Sequence, residues 1–258
     1  MRTIVYAFGW LGQFRNYIMN KKSPTVAARV GPETNLKRRN NSFSNTLHSL
    51  ASEVLFSLRV AVEFLQGFRI LHYAGPCVAV FGSARIKEGS RYYEDARSMG
   101  GRLAESGFSV IIGGGPGIME AANRGAREHH GLSIGCNIAL KKEQETNSYL
   151  DKQFSCKHFF VRKVLMFRYS SAFIIMPGGT GTLDEFFEAL NLVQTHKIKD
   201  FPIVVFGKAY WSPLMSLFSA MLSSGTITQE DLNNIIFTDV IQDAIAHIEL
   251  VTRKKYTS

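Results

Sequence analysis

Residues 177–185 read Pro-Gly-Gly-Thr-Gly-Thr-Leu-Asp-Glu. Gly178, Gly179 and Gly181 let backbone N–H groups come close to an anion, and the helix that this run opens adds its dipole. Thr182 and Glu185 also have the spacing of a capping box, so the pair has a purely structural reading as well. A carboxylate is electrostatically unwelcome beside a phosphate, so a chemical role for Glu185 requires another partner. A phosphate held by Gly179, Gly181 and Thr182, with Gly178 and Thr180 completing the turn, would bring a ribose within reach of Glu185. The carboxylate could then bind sugar hydroxyls, orient water or stabilise a positively charged sugar, because glycosidic cleavage passes through an oxocarbenium-like state.

Two more glycine-bearing loops accompany this turn: Phe81-Gly82-Ser83-Ala84-Arg85, and Gly113-Gly114-Gly115-Pro116-Gly117-Ile118-Met119-Glu120. By position, Ser83 and Arg85 are candidates to contact a nucleotide, Gly114 and Gly115 to line its phosphate or ribose, and Asn137 to reach the sugar. Arg162 and Lys163 open a later helix, where they form either a solvated basic face or a cationic wall of the site. The standard fingerprints fail. A dinucleotide loop counted from Gly113 and Gly115 needs glycine where Ile118 stands, and no Gly-x-x-x-x-Gly-Lys-Ser/Thr run exists. Histidines, cysteines and carboxylates do not cluster at metal-ligand spacing, so no metal is implied.

These loops need a scaffold that brings them to one edge. From residue 76 onward, short apolar runs alternate with amphipathic stretches. The runs at 77–81, 109–112, 133–138, 172–176, 203–206 and 235–237 predict strands, and 154–160 is strand-like. Helices are expected over 91–105, 118–129, 161–170, 183–195, 211–222 and 240–251. Such alternation implies an α/β, Rossmann-like doubly wound parallel sheet, with ligands at the carboxyl ends of the strands. Ahead of it, residues 42–75 form a helical extension. Leu47, Leu50, Val54, Leu55, Leu58, Val62 and Leu65 recur as one apolar face, expected to pack on the core or on a second subunit.

The net charge of +9 is local. Residues 1–52 carry eight Lys or Arg against Glu33, leaving 22 basic and 20 acidic residues, or +2, for the rest. The main domain, residues 76–258, is thus nearly neutral, and nucleic acid is not an expected partner. Residues 1–41 form a basic, poorly ordered segment, an organellar targeting peptide or a binding arm. Without a targeting role for that segment the expected location is cytoplasmic. No apolar run is long enough to span a membrane. Cys77, Cys136 and Cys156 stand apart in apolar surroundings and read as buried thiols.

Taken together, the 113–120 loop, Arg162-Lys163 followed by Met166, and the 177–185 turn resemble the LONELY GUY family. Its members are cytokinin riboside 5′-monophosphate phosphoribohydrolases and related nucleoside monophosphate nucleosidases, long mislabelled as lysine decarboxylases. The likeness runs over residues 77–211. It implies hydrolysis of the N-glycosidic bond of a purine nucleoside 5′-monophosphate to free base and ribose 5-phosphate, with no cofactor. It also implies a homodimer or larger homo-oligomer, with Arg162 and Glu185 as catalytic residues. Arg162 would bind the purine or help the base leave, Lys163 would serve phosphate or order carboxylates, and Met166 would wall the base pocket. Two positions depart from small plant-like members: Phe81-Gly82-Ser83-Ala84-Arg85 replaces Cys-Gly-Ser-Ser, and Thr180 replaces an aromatic residue. A non-catalytic nucleotide or molybdenum-cofactor carrier on the same fold is the alternative.

Overall fold

The computed structural model describes residues 50–139 and 146–257, so the basic segment 1–41 and the first turns of the extension, with Leu47, lie outside the described residues. The described chain begins with α1 (Leu50–Leu71) and then alternates. In order follow β1 (Cys77–Phe81), α2 (Arg91–Glu105), β2 (Ser109–Ile112), α3 (Ile118–Glu128), β3 (Ser133–Ile138) and β4 (Lys152–Cys156). The second half comprises α4 (Phe159–Tyr169), β5 (Ser170–Ile175), α5 (Thr180–Gln194), β6 (Ile203–Phe206), α6 (Lys208–Ser223), β7 (Ile235–Thr238) and α7 (Ile241–Thr257). The strands form one seven-stranded sheet in the order β4-β3-β2-β1-β5-β6-β7, and every pairing is parallel.

Strands β1, β2 and β6 are buried along their whole length, as helices on both faces require. Alternate side chains feed two cores. Ala79, Phe81, Phe173 and Ile175 join Val161, Leu165 and Phe186 on one face. Val78, Val80, Ile174 and Met176 join Met99, Ala122 and Ile248 on the other. Helices α4 and α5 therefore share a face, and α3 lies opposite.

The structure departs from the expected elements at four places. The strand-like stretch expected from Phe154 belongs to an edge strand, β4, that begins at Lys152, and its Lys-Gln-Phe-Ser-Cys alternation buries only Phe154 and Cys156. The strand-like stretch expected through Phe160 stops at Cys156, and α4 starts at Phe159. Helix α5 starts at Thr180, so the Thr-Gly-Thr of the motif is its first turn. On α1, Leu50, Val54, Leu55, Leu58, Val62 and Leu65 are exposed, so of the two placements expected for this face, on the core or on a second subunit, the first does not hold. The helix docks instead through Glu63, Gly67 and Leu71, with Val60, Phe64 and Phe68 partly covered. Gly67 selects this face: a Cβ there would overlap the side chain of Leu165 on α4. Among the described residues, no helix is long and apolar enough to cross a membrane.

Candidate active site

The strand order reverses between β1 and β5, and a sheet of this kind opens a crevice at the carboxyl ends of such neighbours. A cleft of about 710 Å³ lies there. The loop after β1 supplies Gly82 to Ile86, the loop after β2 Gly113 to Gly115, and β3 Asn137 and Ile138. The β5–α5 turn supplies Gly178 to Thr182 with Asp184 and Glu185, and Phe159, Arg162 and Tyr210 close the wall.

Backbone hydrogen bonds tie the loops together. Ser83 N–H donates to Pro177 O at 3.0 Å, and Ile118 N–H to Ser83 O at 3.1 Å, so the β1 loop is held between the other two. The Ser83 hydroxyl accepts the Arg85 N–H at 3.1 Å, leaving the Arg85 side chain exposed at the rim. Gly114 has φ 73°, in the left-handed region, and a Cβ there would overlap Asn137 Oδ1. Asn137 lies within β3 rather than after it, and its Nδ2 donates to Thr146 at 3.1 Å. It thus packs the glycine loop from below while bordering the cleft.

The capping-box reading of Thr182 and Glu185 fails. Gly179 is the N-cap, no side chain caps α5, and Thr182 is already the third helical residue. Thr182 N–H donates to Gly179 O at 3.1 Å, while Thr180 and Gly181 are exposed in the first turn, where N–H groups have no partner within the helix. The Thr182 side chain is buried against Gly178, where any Cβ would overlap it.

Freed from capping, Glu185 sits one turn deeper, 5% exposed, and its Oε2 has no hydrogen-bond partner. Burial pushes its carboxyl up to about 7, against the pull of Arg162 and Lys163. Arg162 is half-buried in the cleft wall, its guanidinium beside Gly113 and its Nε also unpartnered. An unpartnered buried acceptor and an unpartnered buried donor in the lining of one cleft are what a ligand would satisfy.

Lys163 does not line the cleft. Its Nζ reaches Asp184 Oδ2 at 2.8 Å and Glu188 Oε2 at 2.5 Å, so it is engaged by carboxylates on α5. Met166 is fully buried among the core side chains and is not part of the cleft lining, so it does not wall a base pocket. One turn of α4 separates it from Arg162, but that turn points inward.

Tyr210 and Asn147 join the site without a sequence motif to mark them. Tyr210, in the first turn of α6, donates to Gly178 O at 2.8 Å and lines the cleft. Asn147 holds the second glycine loop: its N–H donates to Gly114 O at 2.9 Å and its Nδ2 to Gly115 O at 3.1 Å. Neither belongs to a motif, and only the folding of distant segments reveals them. Among the described residues no group of His, Cys, Asp or Glu could hold a metal ion.

Comparison with known proteins follows the same outline. Residues 119–248 match the family model described as "possible lysine decarboxylase". The cytokinin riboside 5′-monophosphate phosphoribohydrolase of Rhodococcoides fascians is 28% identical over 174 residues, 66% of this chain and 88% of its own. The protein of that name from Mycobacterium tuberculosis is 29% identical over 157 residues, covering 59% of this chain and 82% of its own. Among solved structures, the molybdenum cofactor carrier protein of Chlamydomonas reinhardtii superposes with a TM-score of 0.53 at 20% identity, over 69% of this chain and 98% of that one. The molybdenum cofactor binding protein of Rippkaea orientalis gives 0.52 at 22%, over 68% and 96%. At such identities the likeness to these two structures shows the fold alone.

Proposed function

This chain belongs to the LONELY GUY family, whose model carries the "possible lysine decarboxylase" description, and from that premise we propose that it hydrolyses the N-glycosidic bond of purine nucleoside 5′-monophosphates. The observation that carries this reading is the buried Glu185 carboxylate, its Oε2 unpartnered, in the same cleft lining as Arg162 and one helical turn after the exposed start of α5. The names of the Rhodococcoides and Mycobacterium relatives point to the same reaction class.

In this reading the 5′-phosphate rests on the first turn of α5, against the N–H groups around Gly179, Thr180 and Gly181, where the helix dipole favours an anion. Gly114 and Gly115 face it from the neighbouring loop, with Ser83 and Arg85 at the rim and Asn137 behind. The ribose then lies over Glu185. As the C1′–N bond breaks, its electron pair leaves with the base and positive charge grows on the sugar. The Glu185 carboxylate stabilises that charge in a dry setting, where the interaction is strong. Arg162 donates hydrogen bonds to the departing base. Water adds at C1′, one of its protons ends on the base, and ribose 5-phosphate remains.

Lysine decarboxylation fits the cleft poorly. A pyridoxal-phosphate enzyme needs a lysine for its Schiff base, and among the described residues none lines the cleft. A carrier on this fold would hold its ligand without turnover, and the presence of Arg162 and Glu185 in one cleft favours the hydrolase over it. The direct test is chromatography of products from a panel of nucleoside monophosphates, AMP and isopentenyladenosine monophosphate included, with Glu185→Gln as control. Tight binding without release of base from any of them would favour the carrier instead.

A further inference from the structure

Helix α1 lies outside the residues matched by the family model, yet it grips the helix that carries Arg162. Helix α4 starts without a cap of its own: His158 is its N-cap residue and makes no side-chain cap bond. The first N–H groups of such a helix need acceptors. Glu63, on α1 and 95 residues away from His158, provides one. Its Oε1 accepts the N–H of Lys157 at 2.5 Å and of His158 at 3.1 Å, while its Oε2 meets His158 Nδ1 at 2.8 Å.

Glu63 is only 8% exposed, and no other carboxylate on α1 is buried. Burial works to raise its carboxyl, but the His158 ring and the two backbone N–H groups outweigh that and hold it below the usual carboxylate range. The His158 ring is in turn packed between Phe56 on α1, edge-on at 5.2 Å, and Phe160 on α4 at 5.3 Å. Two further contacts continue the seam. Gly67 admits Leu165, and the Arg168 guanidinium lies 5.7 Å from the centre of the Phe68 ring. The first helical bond inside α4 runs from Arg162 N–H to His158 O at 3.2 Å, so the capped residue and the cleft residue are one turn apart.

We propose that Glu63 is a positioning residue for Arg162: from α1 it caps α4 and fixes where the guanidinium enters the cleft. The kinetic part of this proposal rests on the hydrolase reading above; the capping part does not.

The test uses the full chain with Glu63→Ala, Glu63→Gln and Glu63→Asp. Steady-state hydrolysis of AMP, thermal melting and amide hydrogen exchange over residues 157–162 are measured for each. Alanine leaves both N–H groups unpaired, so exchange should speed up and kcat should fall about tenfold to a hundredfold, as expected for a displaced reacting group. KM should stay within about twofold, because the phosphate-binding turn lies on α5. Glutamine keeps an acceptor oxygen and should restore most of kcat. If alanine prevents folding, aspartate withdraws the carboxylate by one methylene and should show the same changes in weaker form. The proposal is overturned if exchange over 157–162 is unchanged, if kcat falls only as the folded fraction falls, or if glutamine is no better than alanine. If wild-type protein turns over no nucleoside monophosphate, the hydrolase reading fails on its own; exchange then decides the cap, faster supporting it and unchanged overturning it.

Discussion

Lys163 Nζ lies 2.8 Å from Asp184 Oδ2, and this ion pair joins the immediate neighbours of Arg162 and Glu185 across two helices. With the second bond to Glu188, it fastens α4 to α5 beside the cleft. Burial works against the charge on Lys163, but the two carboxylates outweigh it and hold the ammonium above its usual range. Lys163→Met should therefore loosen the spacing of Arg162 and Glu185, lowering kcat about tenfold. Asp184 is 59% exposed, so the stability loss by denaturant titration should be only about 0.5–1 kcal/mol. A loss of phosphate affinity with unchanged kcat would instead put Lys163 on the substrate.

Glu185 sets the pH dependence. With the carboxylate as the active form, kcat/KM should rise as pH passes upward through about 7, and Glu185→Gln should lose about 10²- to 10³-fold in kcat. A rate that falls over that window would assign it as the proton donor.

The same group should leave a mark on stability. Its folded pKa is raised, so between about 4.5 and 7 the native state holds a proton that the unfolded chain has released. Stability is therefore lost as pH rises through that window. Glu185→Gln lacks this loss, so its advantage over wild type should grow from about pH 4.5 to 7 and level off near 3 kcal/mol, on the order expected for a shift of this size. Melting of both proteins across pH 4 to 8.5 checks the sign.

Arg162→Ala should cut turnover about 10²-fold or more. Arg162 also opposes the upward push on the Glu185 carboxyl. The inflection in the residual activity should accordingly move above the wild-type value, and an unmoved inflection would mean that the two side chains do not sense each other.

Two adjacent glycines should behave differently. A Cβ at Gly178 would overlap Thr182, so Gly178→Ala should cost about 1–3 kcal/mol of stability. A Cβ at Gly179 meets nothing within 4 Å, so Gly179→Ala should melt like wild type. It should nevertheless weaken ribose 5-phosphate binding, measured by calorimetry, because the methyl group crowds the helix start.

Much of this protein was legible in the chain itself. The alternation of apolar runs and amphipathic stretches determined a parallel, doubly covered sheet, because burial on two faces is written locally as period and run length. The glycine turn before Glu185 and the loops at Gly82 and Gly113 were legible for the same reason: a turn's backbone needs are met by residues within it. Tertiary structure decided what depends on distant partners. Sequence leaves Glu185 both a capping and a chemical reading until the helix start at Thr180 takes it out of capping range, and Met166 reads as a pocket wall until α4 turns it inward. The apolar face of α1 was visible as a periodicity, but Gly67 against Leu165 decided that another face would dock. Tyr210, Asn147 and Glu63 carry no local signal at all, because each acts on backbone tens of residues away. Proximity of that kind is set by the crossovers and by how closely helices pack, which no window of sequence contains.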